Sequence, residues 1–579
     1  MAKNKENIEQ IRHSLAHLMA AVVSGKHPNI KLGIGPTIEN GFYYDFDFLS
    51  EEHSPSEEKL PKLEEEIRKL IKQDIKFERE EITAKKAKDL FANQPYKLEL
   101  INELEDAGEK ISIYKSGDFV DLCAGPHVGS TKEINPDAFK LTKLAGAYWR
   151  GSEKNKMLTR IYGVAFATKK ELSDYLKMME EAEKRDHRKI GKEMDLFSFH
   201  EEGPGFPFWH PKGTILYNEL KNFIRKENIK RGYGEVMTPV ILNKNLWLTS
   251  GHWEKFRENM YFTEIDKQEF AVKPMNCPGG ILIYNETLHS YRELPIRYAE
   301  FGLVHRHELS GVLHGLFRVR SFVQDDAHSF CAPEQLNGEV SQMIDYALDI
   351  YKTFGFKEYV IFIATKPEKH IGDDAMWEKA TNALIKSLKS KKLEYKIKEG
   401  EGAFYGPKIE FDIKDAIGRD WQMGTIQIDF SMPQRFGAAY IGKDGNKKTP
   451  VMVHRAILGS MERFIGVLTE HYAGAFPLWL SPVQVLVLSV GENFNKYGEK
   501  VLTELKNASI RAEMDKTNET LGKKIRLGKT QKVPYIIVVG EKEQESETVT
   551  VNPRDKKEQM ALKLEDFIHQ IKQEITEKK

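Results

Sequence analysis

The chain has 579 residues, with 87 Lys plus Arg balanced by 87 Asp plus Glu, so its formal net charge is zero at pH 7. At roughly 150 residues per domain, about two to four domains are expected, and the charge balance excludes a global basic field for nucleic acid. Three scattered cysteines, Cys123, Cys277 and Cys331, exclude a disulfide framework and favour a reducing compartment. The polar start, and apolar runs well short of the ~18 residues of a membrane span, predict a soluble cytoplasmic protein.

The first predicted helix carries two histidines on one face, because His13 and His17 stand four residues apart. The apolar stripe beside them consists of Ile8, Ile11, Leu15, Leu18 and Val22. Further along, the segment DLCAGPHV places Cys123 and His127 four residues apart on a turn. These side chains are the ligand inventory of a tetrahedral zinc site. Residue types alone leave three interpretations open: a zinc site, a metal-free catalytic cleft, or unrelated core residues.

Charge and breaker patterns divide the chain. Residues 169–195 form a strongly charged stretch that predicts a solvated helical linker. The pattern of the central region stops near Pro477 to Pro482, and a small βαβαββα unit is predicted after it. The expected domains are therefore residues 1–168, a linker at 169–195, a core at 196–478 and a C-terminal domain at 479–579.

The core begins with a long amphipathic helix, a turn at Gly232 and Gly234, and a strand that ends at Pro239. Two more strands, 301–305 and 316–323, are then predicted around a glycine-containing loop. This hairpin would carry Arg306, Glu308, Arg318 and Arg320. Fixed guanidinium groups suit a phosphate clamp, and Glu308 could accept from an adenine amino group or orient a cation. The alternative is a surface hairpin with solvated charges.

The last core pattern covers residues 451–472. It predicts a short strand, a turn at Gly459 and Ser460, and a helix with Arg463 on its first turn. An arginine where a strand meets a helix N-terminus suits the far end of a polyphosphate.

In this order, helix-strand-Pro, arginine hairpin and Gly-x-x-x-Arg resemble motifs 1, 2 and 3 of class II aminoacyl-tRNA synthetases. The strings KPMNCPGG, HRHELSGVLHGLFRVRSFVQDDAH, GAFYGPKIEFDIKDAIGRDWQMGTIQIDF and MVHRAILGSMERF are similar to the threonyl-tRNA synthetase family. The resemblance implies a multidomain α/β and α+β protein. An antiparallel-sheet class II core would be flanked by an N-terminal α+β editing domain and a C-terminal α/β anticodon-binding domain. The small ubiquitin-like domain that usually precedes the editing domain is not expected in this chain.

The implied activity is ATP-dependent activation of threonine to threonyl-adenylate and transfer to the 3′ end of threonine tRNA, with hydrolysis of mischarged seryl-tRNA. A homodimer through the motif 1 helix and Mg²⁺ with ATP are implied as well. Valine is isosteric with threonine. A Lewis-acidic metal that binds both the amino group and the hydroxyl group of threonine would distinguish it from valine. The resemblance implies one zinc ion per chain, held by Cys277, His328 and His454.

The resemblance also assigns the other core residues. The catalytic pair would be Arg306 and Arg463. The ATP-binding residues would be Glu308, Arg318, Gln324 and Gln422. The residues around threonine would be Met275, Asp326, Tyr405 and Gln427.

In the N-terminal region, HSLAH and DLCAGPHV resemble the family's editing signatures, which implies metal-free hydrolysis. The implied editing residues are His13, His17, Lys97, Asp121, Cys123 and His127. Ala124 stands where the family usually has an arginine, which leaves binding of the tRNA end less certain.

The C-terminal region contains a local basic patch suited to RNA phosphates, although a solvated helix face would look the same. The patch consists of Lys516, Lys523, Lys524, Arg526, Lys529 and Lys532. By resemblance to the anticodon-binding domain, the base-reading candidates are Asn518, Arg526 and Glu543. The family's VRxR string is VNPR here, so Asn552 replaces one expected arginine.

Two other classes of protein fit parts of this pattern. One is a paralogue without ligase activity, which would be expected to have lost Arg306, Arg463 or the metal ligands. The other is a deacylase whose remaining two thirds only binds RNA. The chain keeps all of these residues, which argues against both alternatives.

Overall fold

The computed structural model describes residues 2–48, 55–556 and 558–578. The chain divides into two compact units, Met1–Glu180 and Glu181–Lys579. The division falls inside the predicted linker, and the three finer domain boundaries stay predictions. None of the helices in the described ranges combines the length and apolarity that a membrane span requires.

The N-terminal unit packs helix α1 against a five-stranded antiparallel sheet in the order β1-β3-β8-β7, with β2 beside β3. A second sheet has the order β4-β5-β6. The predicted apolar stripe supplies part of the core, since Leu15 and Leu18 are buried with Phe42 and Phe46. The elements are α1 (Ala2–Lys26), β1 (Lys31–Leu32), β2 (Thr37–Ile38), β3 (Gly41–Asp47), α2 (Leu60–Ile71), β4 (Phe77–Ile82), α3 (Ala84–Leu90), α4 (Pro95–Asp106), β5 (Ile111–Ser116), β6 (Phe119–Leu122), β7 (Phe139–Tyr148) and β8 (Met157–Ala165).

The second unit is built on an eight-stranded sheet in the order β11-β16-β17-β24-β21-β20-β18-β19, antiparallel except for its two outermost pairs. Helices α7, α11, α12 and α14 contribute buried apolar residues to its main core. The helices are α5 (Lys169–Lys184), α6 (His187–Glu193), α7 (Pro211–Lys230), α8 (Lys244–Ser250), α9 (His252–Lys255), α10 (Cys277–Asn285), α11 (Leu336–Thr353), α12 (Asp374–Ser390), α13 (Ser431–Arg435) and α14 (Met461–His471). The strands are β9 (Phe197–Ser198), β10 (Phe208–Trp209), β11 (Gly234–Glu235), β12 (Ile241–Asn243), β13 (Tyr261–Ile265), β14 (Gln268–Val272), β15 (His289–Ser290), β16 (Ile296–His305), β17 (Ser321–Cys331), β18 (Tyr359–Ala364), β19 (Lys396–Lys398), β20 (Lys408–Lys414), β21 (Asp420–Asp429), β22 (Tyr440–Ile441), β23 (Lys447–Lys448) and β24 (Val451–Ser460).

The predicted arginine hairpin is wrong in one respect, because its second strand begins at Ser321 and not at Leu316. Residues 306–320 form a long connection instead, here called the ATP loop after the ATP-binding role that the sequence predicts for Glu308 and Arg318. The reason lies in the backbone hydrogen bonds: Arg318 pairs with His314 inside the loop, and the N–H of Arg320 donates to Gly205 O at 2.7 Å. Arg318 and Arg320 therefore lie on a loop and not on a strand.

The predicted linker is also only partly a solvated helix. It breaks at Arg185 and Asp186, and Asp186 caps α6 by accepting from the N–H of Arg188. Within α6, His187 is 0% exposed and Ile190 is 4% exposed. The apolar residues of α6 join the main core, so this part of the linker is packed and not solvated.

The C-terminal region has an α/β sheet in the order β26-β25-β27-β28-β29, parallel between the first three strands and antiparallel at the other two. The prediction missed one short helix and the last strand. The elements are β25 (Val485–Ser489), α15 (Asn495–Asn507), β26 (Ala512–Asp515), α16 (Leu521–Thr530), β27 (Tyr535–Val539), α17 (Glu541–Ser546), β28 (Thr548–Pro553), β29 (Met560–Lys563) and α18 (Leu564–Thr576).

Candidate functional site

A cavity of about 660 Å³ lies on the eight-stranded sheet and brings together almost all residues predicted for the core site. His328 is the one predicted member that does not line it, and it adjoins the cavity through its neighbours Cys277 and His454. The predicted residues that line the cavity are Met275, Cys277, Arg306, Glu308, Arg318, Gln324, Asp326, Tyr405, Gln422, Gln427, His454 and Arg463.

Three potential metal ligands meet at one end of this cavity. One ligand atom each from Cys277, His328 and His454 lies within 4.8 Å of the others, and all three residues are buried. Strand register explains the pair of histidines, because His328 on β17 stands directly opposite His454 on β24. Cys277 is the first residue of α10. Cys331, three residues after His328, is buried but lies outside the group.

The electrostatics of this cluster favour a cation. Burial raises the pKa of the Cys277 thiol well above its usual value, so a thiolate there requires a compensating positive charge. The buried Nε2 of His328 has no hydrogen-bond partner. The Nε2 of His454 lies 3.2 Å from Oδ2 of Asp429. A carboxylate behind a ligating imidazole is the usual way to orient it toward a metal.

The predicted threonine-binding residues surround the cluster. Asp326 lies on the same strand two residues before His328, so both side chains lie on one face of the sheet. Its Oδ2 accepts from Nδ2 of Asn276 at 3.1 Å. The hydroxyl of Tyr405 donates to Oε1 of Gln427 at 2.6 Å. This end of the cavity therefore offers a carboxylate and a fixed polar pair beside the potential metal ligands.

Arginines occupy other parts of the cavity lining. The guanidinium of Arg306 lies 5.5 Å from the ring of Phe256 and 5.2 Å from that of Phe322, and its Nε donates to Pro274 O. Arg463 lies on the first turn of α14, where the hydroxyl of Ser460 caps its N–H. The Nε of Arg463 is buried without a hydrogen-bond partner. Two arginines and a helix N-terminus are groups suited to a polyphosphate.

The ATP loop supplies two of the four predicted ATP-binding residues, Glu308 and Arg318. Oε2 of Glu308 accepts from Nε of Arg318 at 2.8 Å, so these two predicted ATP residues pair with each other. Gln324 lies near the start of β17, and Gln422 lies on β21.

A second cavity, of about 700 Å³, lies in the N-terminal unit. Sγ of Cys123 lies 3.3 Å from Nε2 of His13 and 3.3 Å from Nε2 of His127. Of the four side chains that the sequence offered as possible zinc ligands, these three form a cluster among the residues described, and His17 lies outside it. Nε2 of His17 instead bonds the hydroxyl of Ser116 at 3.0 Å. The predicted residues that line the cavity are His13, His17, Lys97, Asp121 and Cys123.

The histidines and cysteine of this second cavity are neutral near physiological pH. Burial lowers the pKa of His17 to about 4 and that of His127 to about 2, and it raises the pKa of Cys123 to about 11. Beside them, Nζ of Lys97 lies 2.6 Å from Oδ1 of Asp121 in a buried ion pair. The low pKa values of His17 and His127 make these two imidazoles weak bases, which leaves His13 as the candidate that could accept a proton from water.

Several residues of both cavities escaped the sequence analysis. Tyr44 donates to Oδ2 of Asp121 at 2.6 Å and lines the N-terminal cavity. In the core, Asn276 supports Asp326, Asp429 supports His454, and Nε2 of His252 lies 2.9 Å from Sδ of Met275. Their partners are distant in sequence or carry no motif, so only strand register and packing could reveal them. Asn276 and Asp429 are exceptions, since they lie inside the quoted strings KPMNCPGG and GAFYGPKIEFDIKDAIGRDWQMGTIQIDF.

The C-terminal candidates lie on three elements. Asn518 is exposed in the loop before α16, Arg526 is exposed on α16, and Glu543 lies in the first turn of α17. Both carboxylate oxygens of Glu543 accept hydrogen bonds, from the N–H of Gly540 and the hydroxyl of Thr550.

The predicted basic patch is smaller than its sequence indicates. Lys524 is only 6% exposed and donates to Asp515 O, so it does not face solvent. Lys516 and Lys523 pair with Glu499 and Glu519. Asn552 is half-buried on β28, where its Nδ2 lies 3.3 Å from Ile536 O.

The antiparallel sheet, the arginines of its cavity and the α/β C-terminal region are those of a class II aminoacyl-tRNA synthetase. Family comparisons agree: residues 261–472 match "tRNA synthetase class II core domain (G, H, P, S and T)" and residues 484–574 match "Anticodon binding domain". Residues 111–162 match "Threonyl and Alanyl tRNA synthetase second additional domain".

Curated relatives narrow the class. The chain is 54% identical over 579 residues to a threonine–tRNA ligase of Carboxydothermus hydrogenoformans, covering 100% of this chain and 90% of that protein. It is 56% identical over 572 residues to one of Caldanaerobacter subterraneus, covering 98% and 87%. A crystal structure titled as the RNA binding domain of threonyl-tRNA synthetase from Cryptosporidium parvum matches with a TM-score of 0.65 and 43% identity, covering 67% of this chain and 98% of that one.

The chain belongs to the threonine–tRNA ligase family. It is an aminoacyl-tRNA synthetase that joins threonine to tRNA at the expense of ATP, and it carries an editing domain.

Proposed function

We propose that the core cavity activates threonine beside a zinc ion held by Cys277, His328 and His454, and that the N-terminal cavity hydrolyses seryl-tRNA. The observation that carries the first part is the buried group of one thiol and two imidazoles within 4.8 Å, next to Asp326 and the arginines of one cavity.

The donor set fits zinc. Zinc prefers sulfur and nitrogen ligands, and three protein ligands leave a coordination position open for substrate. The unpartnered buried Nε2 of His328 supports this assignment, because a buried polar atom without a partner is costly. When bound, zinc would supply Lewis acidity for the amino and hydroxyl groups of threonine, and valine lacks the hydroxyl.

Protein residues would carry the reaction itself. The carboxylate of Asp326 would accept from the amino group of threonine and orient its carboxylate toward ATP. An oxygen of that carboxylate attacks the α-phosphorus, the bond to the β-phosphate oxygen breaks, and pyrophosphate leaves. Arg306 would stabilise the negative charge that develops there, and Arg463 with Mg²⁺ would hold the outer phosphates.

The remaining predicted residues would bind the two substrates. The adenosine part of ATP would contact Glu308, Arg318, Gln324 and Gln422. The threonine side chain would be enclosed by Met275, Tyr405 and Gln427. In the second step, the terminal adenosine hydroxyl of tRNA attacks the carbonyl carbon of the adenylate, and AMP leaves.

Amino-acid-dependent exchange of pyrophosphate into ATP tests this proposal. Threonine should support the exchange, serine should support it about 10 to 200-fold less well, and valine at least about 10⁴-fold less well. The difference arises because serine lacks only a methyl group, whereas valine lacks the hydroxyl that the site must bind. An exchange rate with valine close to that with threonine would contradict the proposed role of the metal.

The modest discrimination against serine calls for a second site. In the N-terminal cavity, neutral His13 lies beside Cys123 and could hold or activate a water molecule against the seryl ester. Burial raises the pKa of Cys123 to about 11, which argues against a thiolate nucleophile. Lys97 and Asp121 would orient the substrate, since their ion pair is buried at the cavity wall.

The C-terminal region would read the anticodon. Asn518 and Arg526 are both exposed near the start of α16 and its basic side chains, which supports contact with bases and phosphates. Glu543 would need to exchange one of its internal hydrogen bonds for a base contact.

We also propose that the chain forms a homodimer through the motif 1 segment. The short strand β11 is at the edge of the eight-stranded sheet. Apolar side chains are exposed around it: Met237 is 88% exposed, Ile229 is 66% exposed and Ile241 is 48% exposed. An exposed strand edge with neighbouring apolar side chains is a site for pairing with another chain.

Replacing Met237 with a charged residue should separate the dimer. Met237→Glu would bury an unpaired carboxylate in the interface and weaken dimerisation by about 100-fold or more. Sedimentation equilibrium of the parent and the variant would measure the dissociation constant. Met157→Glu is a matched control, because Met157 is 57% exposed in the N-terminal unit. A monomeric parent, or an unchanged dimer in Met237→Glu, would contradict the proposed interface.

A further inference from the structure

A buried histidine of α6 contacts the middle of the ATP loop from outside the cavity. His187 is 0% exposed. Its Nε2 accepts from the backbone N–H of Leu316, in the middle of the loop, at 2.9 Å. Its Nδ1 lies 2.7 Å from Oε1 of Glu470, which also accepts from the backbone N–H of His187.

The hydrogen bonds define one tautomer of the imidazole. The N–H of Leu316 can only donate, so Nε2 of His187 must be unprotonated. The proton of the neutral ring is therefore on Nδ1, where it donates to the carboxylate of Glu470. Glu470 is in turn fixed by Arg419, which contacts its other oxygen. A four-member chain of contacts thus runs from Arg419 to the backbone of the ATP loop.

A metal site is the alternative for this cluster, because ligand atoms of Asp186, His187 and Glu470 lie within 4.8 Å of one another. Both ring nitrogens of His187 already have hydrogen-bond partners, as do both carboxylate oxygens of Glu470. The cluster therefore has complete internal bonding and favours a structural relay over a metal.

The loop is shaped to receive this ring. Gly315 has a φ of +47°, and a Cβ there would lie 2.2 Å from Nε2 of His187. The ring of Phe317 packs 4.1 Å from that of His187 and 4.3 Å from that of Trp421. Phe317 and Arg318 both line the core cavity. Contacts of His187 with residues 315, 316 and 317 therefore fix the position of the part of the cavity wall that Phe317 and Arg318 form.

The same imidazole also joins two other parts of the site. Glu470 lies on α14, the helix whose first turn carries Arg463. The backbone carbonyl groups of Glu470 and His471 accept from Nη1 of Arg185, just before α6. The position of α6 is thereby linked both to the ATP loop, which carries Arg306, and to α14, which carries Arg463.

We propose that His187 is a positioning residue for ATP: by binding the N–H of Leu316 and the ring of Phe317, it holds the ATP loop in the conformation that binds the nucleotide. This inference rests on the proposed binding of ATP in the core cavity. His187 does not line the cavity, so it acts on the nucleotide through the loop.

Steady-state pyrophosphate exchange with ATP and threonine varied separately tests the inference. His187→Ala should raise the KM for ATP by about 10-fold or more, because the buried N–H of Leu316 loses its acceptor. The KM for threonine should stay within about twofold. His187→Gln should restore most of the affinity for ATP, since its amide oxygen can accept from the N–H of Leu316.

Ile190→Ala separates positioning from loss of stability. Ile190 is a buried residue of the same helix, and it packs beside Gly474, away from the backbone contact to Leu316. The Ile190→Ala variant should lower the urea concentration at the midpoint of unfolding, as His187→Ala does. It should not change the KM for ATP. The inference is overturned if His187→Ala leaves that KM unchanged, or if Ile190→Ala raises it equally. If the proposed function itself were wrong, the parent enzyme would show no threonine-dependent exchange. That outcome is distinct from failure of the inference about His187.

Discussion

Cys277→Ser is expected to remove the metal and abolish threonine activation. The parent should contain about one zinc ion per chain in the core, and the variant should contain almost none, because a serine hydroxyl is a poor replacement for a thiolate ligand. Exchange of pyrophosphate with threonine should fall by more than about 100-fold, since loss of outer partners of metal ligands already costs about 10 to 100-fold. Metal analysis by mass spectrometry and the exchange assay measure the two effects.

Cys331→Ser is the matched control for this experiment. Cys331 is a second fully buried cysteine, on the same strand as His328, and lies outside the metal cluster. The Cys331→Ser variant should keep its zinc and its exchange activity. Full zinc occupancy with normal exchange in Cys277→Ser would rule out the assigned site. Equal losses in both variants would indicate that the effect comes from core packing and not from ligation.

His13→Ala combined with His17→Ala is expected to separate synthesis from editing. Threonylation should stay near normal, because the core cavity lies in the other unit of the chain. Hydrolysis of pre-formed seryl-tRNA should slow by about 10² to 10⁴-fold, the usual contribution of a positioned general base. Seryl-tRNA should then accumulate when serine and ATP are supplied. Deacylation of purified seryl-tRNA and acid-gel analysis of the charging reaction measure the two rates.

Two further variants help to interpret the editing rate of the double variant. His27→Ala changes a histidine just after α1 that does not line the cavity, so it should edit normally. Cys123→Ala tests whether the cluster binds a metal: an unchanged zinc content would favour metal-free hydrolysis, and loss of zinc would favour the metal interpretation. If the double variant cleared seryl-tRNA as fast as the parent, the N-terminal cavity would not be the editing site.

Much of the architecture was predictable because three motifs occur in a fixed order along the chain. The strand with His328, the strand with His454 and the helix with Arg463 all occur in the quoted strings. The path of residues 306–320 was not predictable, since it depends on a backbone contact between Arg320 and Gly205, which is distant in sequence. An apolar run such as Leu316 to Val323 reads as a strand unless such contacts are known.

The residues of the site were predictable from the sequence to about the same extent as the fold. The residues proposed to contact substrate in the core cavity lie within the family strings, whereas the more distant supporting residues His187, His252 and Glu470 do not. His187 and Glu470 are 283 positions apart, and no local pattern relates them. The charged composition around His187 predicted a solvated helix, but burial of Ile190 and the pairing of His187 with Glu470 overrode it. The contact of His17 was hidden for the same kind of reason, because Nε2 of His17 bonds the hydroxyl of Ser116 on another element.

The two ends of the core cavity differ in how firmly the backbone holds them. Asp326, Gln427 and His454 lie within long, paired strands of the central sheet, whereas Glu308 and Arg318 lie on the ATP loop. Strand interiors open rarely, and loops rearrange at much lower cost. On the proposed assignment, the amino-acid end would be fixed before any substrate arrives, and the nucleotide end would depend on the contacts of His187 that hold the ATP loop. Rejection of valine would then require no conformational change, and movement of the loop would govern how fast ATP enters without altering which amino acid is chosen.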